Sequence, residues 1–207
     1  MFEKFINEVE KVIDSKQLLT SKEALLAYSL DATRLKSMPK AVFLPETSKQ
    51  LRDVIRLCNE FSISVTPRGS GTGLSGGAVP AKGSLVISFS RMNSILNIDT
   101  INLIAEVEPG VITANLQEEV SDQSLFYPPD PSSAAVSTIG GNIAEGAGGP
   151  KALKYGVTRD YVMGLEIVLP DGSLIRTGGS TYKNVSGYDL TRLMTASEGS
   201  LGLIMKA

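Results

Sequence analysis

Apolar residues recur at helical spacing in the first part of the chain. Between Phe2 and Ile13 they fall on one face of a predicted opening helix. Thr20-Ser-Lys-Glu23 has the pattern of a capping box, in which two side chains satisfy the free backbone N–H groups of a helix start. We therefore predict a second helix that begins there and runs to about Leu30.

The pattern then alternates between strand and helix. The predicted elements are a strand at Ala41–Leu44, a helix capped by Thr47 that runs to Phe61, a strand at Ile63–Thr66 ended by Pro67, and a strand at Leu85–Phe89. Strands joined through a helix predict a parallel β-α-β unit. Cys58 lies on the apolar stripe of the helix and has no partner thiol, so we predict a core residue rather than a redox group.

Beyond residue 91 the pattern becomes antiparallel. The predicted elements are a hairpin of Ile95–Ile98 and Leu103–Val107, a helix at Thr113–Val120, and strands at Tyr161–Leu169 and Leu174–Thr177 around the turn Pro170-Asp-Gly172. We predict an α+β protein of two lobes. A small parallel β-α-β lobe covers residues 1–90, and a larger antiparallel lobe with helices covers residues 91–207.

A glycine-rich loop, residues 67–77, follows the second predicted strand and contains five glycines. Glycine tolerates positive φ, which lets several backbone N–H groups converge on one anion. Flexible linkers are also rich in Gly and Ser, but a strand does not usually lead directly into them. We therefore predict that loop 67–77 binds phosphate groups, with Gly71 at positive φ.

Three common motifs match the residues of this loop, but the rest of the sequence lacks a feature that each of them needs. Gly71–Gly76 reads G-x-G-x-x-G, yet the next strand begins at Leu85 and leaves no room for the helix of a dinucleotide-binding unit. A Walker loop would need lysine where Gly77 stands. Gly73–Gly77 spells G-x-S-x-G, but the chain has no histidine to activate Ser75. These readings are excluded for this chain.

A second stretch of small residues runs from Tyr127 to Gly149. Its serines, threonines and glycines would let a large flat ligand approach the backbone and offer it hydrogen bonds. The same residues would also suit a helix packed tightly through small side chains. Because each predicted lobe has one such stretch, we favour a long ligand between the lobes, with its phosphates on one and its ring system on the other.

Composition and charge exclude several classes of function. The net charge is −2 and the pI is about 5.3, which favour neither nucleic acid nor an anionic membrane as a partner. With one cysteine and no histidine, the chain lacks a disulfide framework, a zinc knuckle and the commonest general base. We find no signal peptide and no transmembrane segment, and expect a soluble cytoplasmic protein.

Several motifs occur in an order that resembles a known family. They are Pro67-Arg-Gly-Ser-Gly-Thr72, Pro129-Asp-Pro131, Ser137-Thr-Ile-Gly-Gly-Asn142, Tyr155-Gly156, Glu166-Ile-Val-Leu-Pro-Asp-Gly172, Lys183-Asn-Val-Ser-Gly-Tyr-Asp-Leu190 and Ser197-Glu-Gly-Ser-Leu-Gly202. From about Pro39 onward the chain resembles the PCMH-type (vanillyl-alcohol-oxidase fold) FAD-binding domain of the FAD-linked 2-hydroxyacid oxidases and dehydrogenases, such as the glycolate oxidase large subunit and D-lactate dehydrogenase. Gly146 and Ser200 stand where that family usually has asparagine and threonine.

The resemblance implies FAD as the cofactor and a role for each motif. Residues 68–75 would wrap the pyrophosphate, residues 130–142 would lie along the ribityl chain and isoalloxazine, and the strand around Ile167 would meet the adenine. The implied cofactor-binding residues are Pro67, Arg68, Gly69, Ser70, Gly71, Thr72, Gly73, Leu74, Ser75, Pro129, Asp130, Ser133, Ser137, Thr138, Gly140, Gly141, Asn142, Ala144, Gly148, Gly149, Gly156, Ile167 and Val168. Without a histidine for covalent attachment, we expect the FAD to be bound non-covalently.

The resemblance also implies a reaction and partners. A small 2-hydroxy acid, of the glycolate or D-lactate type, would lose its α-hydrogen as hydride to the flavin. Family members continue through a substrate-binding domain that holds the catalytic histidines and any metal site. We expect this chain to be an N-terminal fragment that lacks that domain, contains no catalytic or metal-binding residue of its own, and is inactive alone. An electron-acceptor subunit, either an iron–sulfur protein or a quinone-linked one, and attachment to the inner membrane through partners are further expectations.

Three other functions stay open at this point. UDP-N-acetylenolpyruvoylglucosamine reductases and the flavin subunits of molybdenum hydroxylases would share the Arg-Gly-Ser-Gly loop. Ser197–Gly202 favours the 2-hydroxyacid group over both. The third is a flavin-carrying or interaction module without turnover.

Overall fold

The computed structural model describes all residues of the chain, 1–207. Lobe 1, residues 1–90, contains three helices and four strands. They are α1 (Phe2–Val9), β1 (Leu18–Leu19), α2 (Lys22–Ala27), β2 (Ala41–Phe43), α3 (Ser48–Glu60), β3 (Val65–Arg68) and β4 (Leu85–Ser88), with one turn of 3₁₀ helix at Ser15–Gln17 before β1.

The strands of lobe 1 form one sheet in the order β1-β2-β4-β3. β2 and β3 both run parallel to β4, and β1 is antiparallel to β2. Every residue of β2 and β4 is buried, as parallel strands covered on both faces require. α1 and α3 pack on one face of the sheet and α2 on the other. The predicted parallel β-α-β unit is confirmed.

β3 extends further than its sequence predicts. The prediction that Pro67 ends the strand is wrong, because Pro67 pairs with Ile87 and Arg68 pairs with Ser88. β3 lies at the edge of the sheet, where the missing N–H group of proline leaves no neighbouring strand without a partner. The strand therefore continues directly to the start of the glycine-rich loop.

α2 differs from its prediction at both ends. Its N-cap is Ser21 rather than Thr20, since the Ser21 hydroxyl accepts a hydrogen bond from the N–H group three residues later. The helix ends at Ala27 rather than Leu30, which instead forms an isolated bridge with Lys36.

The other two helices of lobe 1 agree better with their predictions. α1 keeps its apolar face but ends at Val9, before the predicted Ile13. α3 begins at the predicted cap, where the Thr47 hydroxyl accepts the N–H group of Gln50 at 3.2 Å. Cys58 is buried in the core, as predicted, and burial raises the pKa of its thiol to about 12.

Lobe 2, residues 91–207, is antiparallel. Its elements are β5 (Ile95–Asp99), β6 (Ile104–Val107), α4 (Thr113–Asp122), α5 (Ile139–Glu145), α6 (Ala152–Tyr155), β7 (Gly164–Val168), β8 (Leu174–Gly178), α7 (Leu190–Met194) and β9 (Leu203–Lys206), with a 3₁₀ turn at Thr158–Tyr161. β5 and β6 form the predicted hairpin, and β7 lies between β8 and β9. Two backbone hydrogen bonds between Val107 and Ala207, of 2.8 and 3.0 Å, join the two sheets. None of the helices has the length and apolar character needed to span a membrane.

β7 and β9 connect the cores of the two lobes. Val168 and Leu203 belong to the core of lobe 1, whereas their neighbours Ile167 and Ile204 belong to the core of lobe 2. Neighbouring residues of a strand point to opposite faces, so one pair of strands serves both cores. The boundary near residue 90 therefore stays a prediction from sequence, and the packed interior extends across it.

Candidate cofactor site

A cavity of about 680 Å³ lies between the two lobes. Loop 67–77 forms one wall, and α5 with the residues on either side of it forms the other. Further lining residues lie between 197 and 204, a segment that includes the start of β9. This volume is in the range of cofactor-sized pockets, and its position agrees with the expectation of a ligand between the lobes.

The backbone of loop 67–77 offers a row of free donors to this cavity. None of the N–H groups from Gly69 to Gly77 donates to a protein acceptor. These residues are half-buried or exposed, so their N–H groups are open to a ligand, and a row of open donors in a glycine-rich loop is an arrangement that binds anions. Gly71 (φ +73°) and Gly76 (φ +88°) provide the left-handed turns of the loop, which confirms the prediction for Gly71.

The remaining glycines of the loop do not have positive φ but lie close to side chains of lobe 2. A Cβ atom at each would collide with a side chain of lobe 2. The pairs are Gly69 with the Thr138 hydroxyl, Gly73 with the Glu145 carboxylate and Gly77 with the Glu198 carboxylate. The sequence explained these glycines by phosphate binding alone. The structure adds that they let lobe 2 close onto the loop.

The opposite wall is held by a buried polar network centred on Thr113. The Asn142 amide donates to the Thr113 hydroxyl at 2.7 Å, and that hydroxyl lies 3.0 Å from both the carbonyl and the hydroxyl oxygen of Ser137. Ser137 is 2% exposed and Asn142 is 4% exposed. A satisfied network of this kind holds its members rigidly. These two predicted cofactor-binding side chains therefore also fix the shape of the wall.

α5 forms the main part of this wall. The helix begins at Thr138, whose hydroxyl accepts the N–H group of Gly141 at 3.2 Å, and ends at Gly146 with φ +65°. Glycine and asparagine are the residues that tolerate this left-handed helix end, so Gly146 in place of the family's usual asparagine preserves the backbone there. The stretch is thus a helix of small residues and also a cavity wall. The two interpretations of the sequence, a tightly packed helix and a ligand-binding surface, are therefore compatible.

The structure brings most of the predicted site residues together. Those that line the cavity are Pro67, Arg68, Gly69, Ser70, Gly71, Thr72, Gly73, Leu74, Ser133, Ser137, Thr138, Gly140, Gly141, Asn142, Ala144 and Gly148. Their roles toward individual parts of the cofactor remain predictions.

The other predicted residues lie outside the cavity lining. They are Ser75, Pro129, Asp130, Gly149, Gly156, Ile167 and Val168. Ile167 and Val168 are fully buried in β7. Asp130 accepts the backbone N–H group of Lys151 at 3.1 Å, and Gly149 packs against the Asp130 carbonyl, so these residues form a loop beside the site.

Several lining residues were not assigned from the sequence. They include Ala32, Phe89, Pro109, Glu145, the turn Ser197–Gly199 and the start of β9. The turn was visible as part of a family motif, and Pro109 could have been inferred only with the fold, where it lies against Gly140. Ala32 carried no sequence signal, because it reaches the loop only through the packing of lobe 1.

A second cavity, of about 600 Å³, lies within lobe 2 and shares no lining residue with the first. Its lining is mostly apolar and includes Tyr127, whose pKa is raised by burial. None of the predicted cofactor-binding residues faces it. The first cavity is therefore the candidate site.

The comparison with protein families agrees with this geometry. A family model described as an FAD binding domain matches residues 39–178, more than half of the chain. The chain belongs to the PCMH-type FAD-binding domain family. FAD is accordingly its cofactor.

Curated relatives of this FAD-binding domain include a glycolate oxidase subunit and a D-lactate dehydrogenase. Glycolate oxidase subunit GlcD of Bacillus subtilis is 54% identical over 183 residues, which cover 88% of this chain and 39% of the relative. D-lactate dehydrogenase of Anaerostipes hadrus is 40% identical over 206 residues, which cover 99% of this chain and 42% of the relative. The chain thus spans less than half the length of these relatives.

A solved structure has the same fold. Alkyldihydroxyacetonephosphate synthase superposes with a TM-score of 0.88 at 23% identity, covering 100% of this chain and 40% of that one. At this identity the likeness shows the fold alone. It confirms the predicted α+β, two-lobed PCMH-type fold.

The residues present fit FAD. The free N–H groups of the FAD-binding domain's loop suit a pyrophosphate, and the glycines of the loop have no side chain that could cover these donors. The opposite wall offers small residues and hydroxyl groups, against which a planar ring system can lie. The two walls meet at the same cavity, as one long ligand requires.

Proposed function

We propose that this chain holds FAD across the cavity between its lobes and serves, within a longer polypeptide, in the oxidation of a small 2-hydroxy acid. The observation that carries the cofactor part is the run of unpaired N–H groups from Gly69 to Gly77 beside the cavity. The names of the relatives, glycolate oxidase subunit and D-lactate dehydrogenase, support the substrate class.

In this proposal the loop and the opposite wall divide the binding of the cofactor. The backbone of residues 69–75 would hold the pyrophosphate, with the hydroxyl groups of Ser70 and Thr72 assisting. Ser133, Thr138 and the backbone around Gly141 would lie along the ribityl chain and the flavin. When bound, FAD supplies the acceptor for the hydride that leaves the α-carbon of the substrate.

The chain's own residues bind and orient, and we assign none of them to proton transfer. With no histidine in the sequence, the group that accepts the hydroxyl proton of the substrate would lie elsewhere in the whole protein. We propose that a substrate-binding domain supplies it, since the relatives are more than twice as long as the matched region.

The partners and the compartment are further parts of the proposal. Electrons would leave the flavin through an acceptor subunit, an iron–sulfur protein or a quinone-linked one. The whole protein would work in the cytoplasm and reach the inner membrane only through such partners.

The cofactor part is tested by titrating the chain with FAD and with FMN, followed by flavin fluorescence. We expect saturable binding of FAD and at least about tenfold weaker binding of FMN, which lacks the pyrophosphate and adenine. Equal affinity for the two flavins would contradict the assignment of the loop.

The substrate part needs the longer polypeptide with its second domain. We expect glycolate or D-lactate to reduce its flavin under anaerobic conditions, and acetate, which lacks the hydroxyl group, to leave the flavin oxidised. If the polypeptide holds FAD and neither hydroxy acid reduces it, the substrate class is wrong while the cofactor assignment stands.

A further inference from the structure

The side chain of Arg68 joins the two ends of the phosphate loop, residues 67–77. Arg68 lies at the start of the loop, and its Nη1 donates to the carbonyl of Ala78, just beyond the loop's end, at 3.1 Å. The guanidinium lies so close to Gly71 that a Cβ atom there would collide with it. Only 7% of Arg68 is exposed. This arginine therefore joins the two ends of the loop and packs against Gly71 within it.

Asp31 is the buried counter-charge of this arginine. It is 3% exposed, and its Oδ1 accepts hydrogen bonds from the backbone and hydroxyl of Thr33. Its Oδ2 is buried without any hydrogen-bond partner, the one such side-chain atom in the chain. A buried carboxylate oxygen in that state is costly unless a positive charge lies nearby. Burial lowers the pKa of Arg68, and the negative charge of Asp31 opposes that shift, although the two side chains form no direct ion pair.

The segment around Asp31 also contacts the loop directly. The N–H group of Ala32 donates to the carbonyl of Gly71 at 3.1 Å, and Ala32 lines the cavity. The ring of Tyr28 lies 5.8 Å from Cζ of Arg68, within the range of a cation–π contact. These residues precede the matched family segment, which begins at residue 39.

We propose that Asp31 and Arg68 are positioning residues that hold the phosphate loop in its binding shape, so that residues 28–32 form part of the cofactor site. Arg68 holds the two ends of the loop together through Ala78 and packs against Gly71, and Asp31 keeps the guanidinium in place by its charge. The row of N–H groups then faces the cavity before any ligand arrives, which lowers the cost of ordering the loop on binding. The inference rests on FAD as the cofactor and is independent of the substrate class.

The experiment measures FAD and ADP affinity in the 207-residue chain and in its variants Asp31→Asn, Arg68→Met and the double variant. We expect each single variant to weaken both ligands by about tenfold or more, since both carry the pyrophosphate. Because the two residues act as one unit, the double variant should be no weaker than the worse single variant. Riboflavin, which has no phosphate, should bind the variants and the parent equally.

Arg68→Lys keeps the charge but loses the planar set of donors, so we expect it to bind FAD with intermediate affinity. The matched control is the exposed pair of Arg91 and Glu46, with 2.7 Å between their charged atoms, where Glu46→Gln should leave FAD affinity within about twofold. Effects of Asp31→Asn and Arg68→Met that simply add, or that weaken riboflavin as much as FAD, would overturn the proposal. Unchanged FAD affinity in Arg68→Lys and Asp31→Asn would overturn it as well.

Discussion

The Ser75 hydroxyl donates a hydrogen bond to the Glu145 carboxylate at 2.8 Å and lies 3.1 Å from the Glu198 carboxylate. Ser75 belongs to the phosphate loop of lobe 1, whereas both glutamates belong to lobe 2. A hydroxyl group has one proton, so it can satisfy only one carboxylate at a time. This serine thus connects the two walls of the cavity at a point where two negative charges meet.

We expect Ser75→Ala to weaken FAD binding about fivefold, because removing this hydrogen bond costs about 1 kcal/mol at an exposed position. The loss would come from a loop that is less firmly connected to lobe 2. Fluorescence titration measures it. Ser64→Ala, an exposed serine without a side-chain hydrogen bond, is the control and should bind like the parent. Equal affinity in the two variants would show that Ser75 does not connect the walls functionally.

Alanine substitutions at Gly71 and Gly76 distinguish the cost of backbone strain from the cost of a steric clash. Both have positive φ, so alanine at either should cost about 1 kcal/mol of the free energy of unfolding. At Gly76 the nearest atom to an added Cβ is a methyl group of Leu35 at 3.8 Å, whereas at Gly71 the Cβ would displace Arg68.

We therefore expect Gly71→Ala to cost about 1–3 kcal/mol more than Gly76→Ala in urea unfolding of the FAD-free chain. Gly71→Ala should also weaken FAD about tenfold, and Gly71→Val should weaken it further because a β-branched side chain fits this conformation worst. Equal costs at the two glycines would contradict the close packing of Arg68 against Gly71.

Because the Cys58 thiol is buried, we expect the free energy of unfolding to depend on pH in the alkaline range. Burial raises the pKa of its thiol to about 12 in the folded chain, against about 8.5 for a cysteine in an unfolded one. The folded state holds the proton more tightly, so this contribution to stability is fully present below pH about 8.5 and declines as the pH rises toward the folded pKa.

The measurement is the difference in unfolding free energy between the parent and Cys58→Ala from pH 8 to 10.5. It should fall by up to about 1.4 kcal/mol per pH unit above pH about 8.5, since the alanine variant lacks only this titration. A thiol reagent at pH 8 should react with Cys58 only after unfolding. A difference that stays constant with pH would show that the thiol is not protected.

The mode of FAD attachment is the fourth prediction. The chain has no histidine to form a covalent bond with the flavin. Its one cysteine is buried in the core of lobe 1 and cannot reach a flavin in the cavity. Acid precipitation of the FAD-loaded chain should release all yellow colour to the supernatant. Flavin that remains with the washed pellet would indicate a covalent link through another residue. Free FAD mixed with the acid-denatured chain is the control for trapping.

Local patterns in the sequence were sufficient for the loop and for the helices and three of the four strands of lobe 1, although not for β1 or for every helix and strand end. The stripe of α3 and its Thr47 cap, the parallel β-α-β unit and the positive φ of Gly71 all depend on residues close together in the chain. Periodicity, capping and backbone sterics act over a few residues, so they can be read without the fold. The ordered motifs added the family and, with it, most of the cavity lining.

The tertiary structure decided what depends on residues distant in sequence. Pro67 could continue β3 only because the strand lies at the sheet edge, and edge position depends on the order of all four strands. A Cβ atom at position 69 would collide with Thr138, and the N–H group of Ala32 donates to the carbonyl of Gly71, each pair being brought together by packing. Such contacts carry no local periodicity or spacing. Their energies arise from burial and close approach, which exist only once the chain has folded.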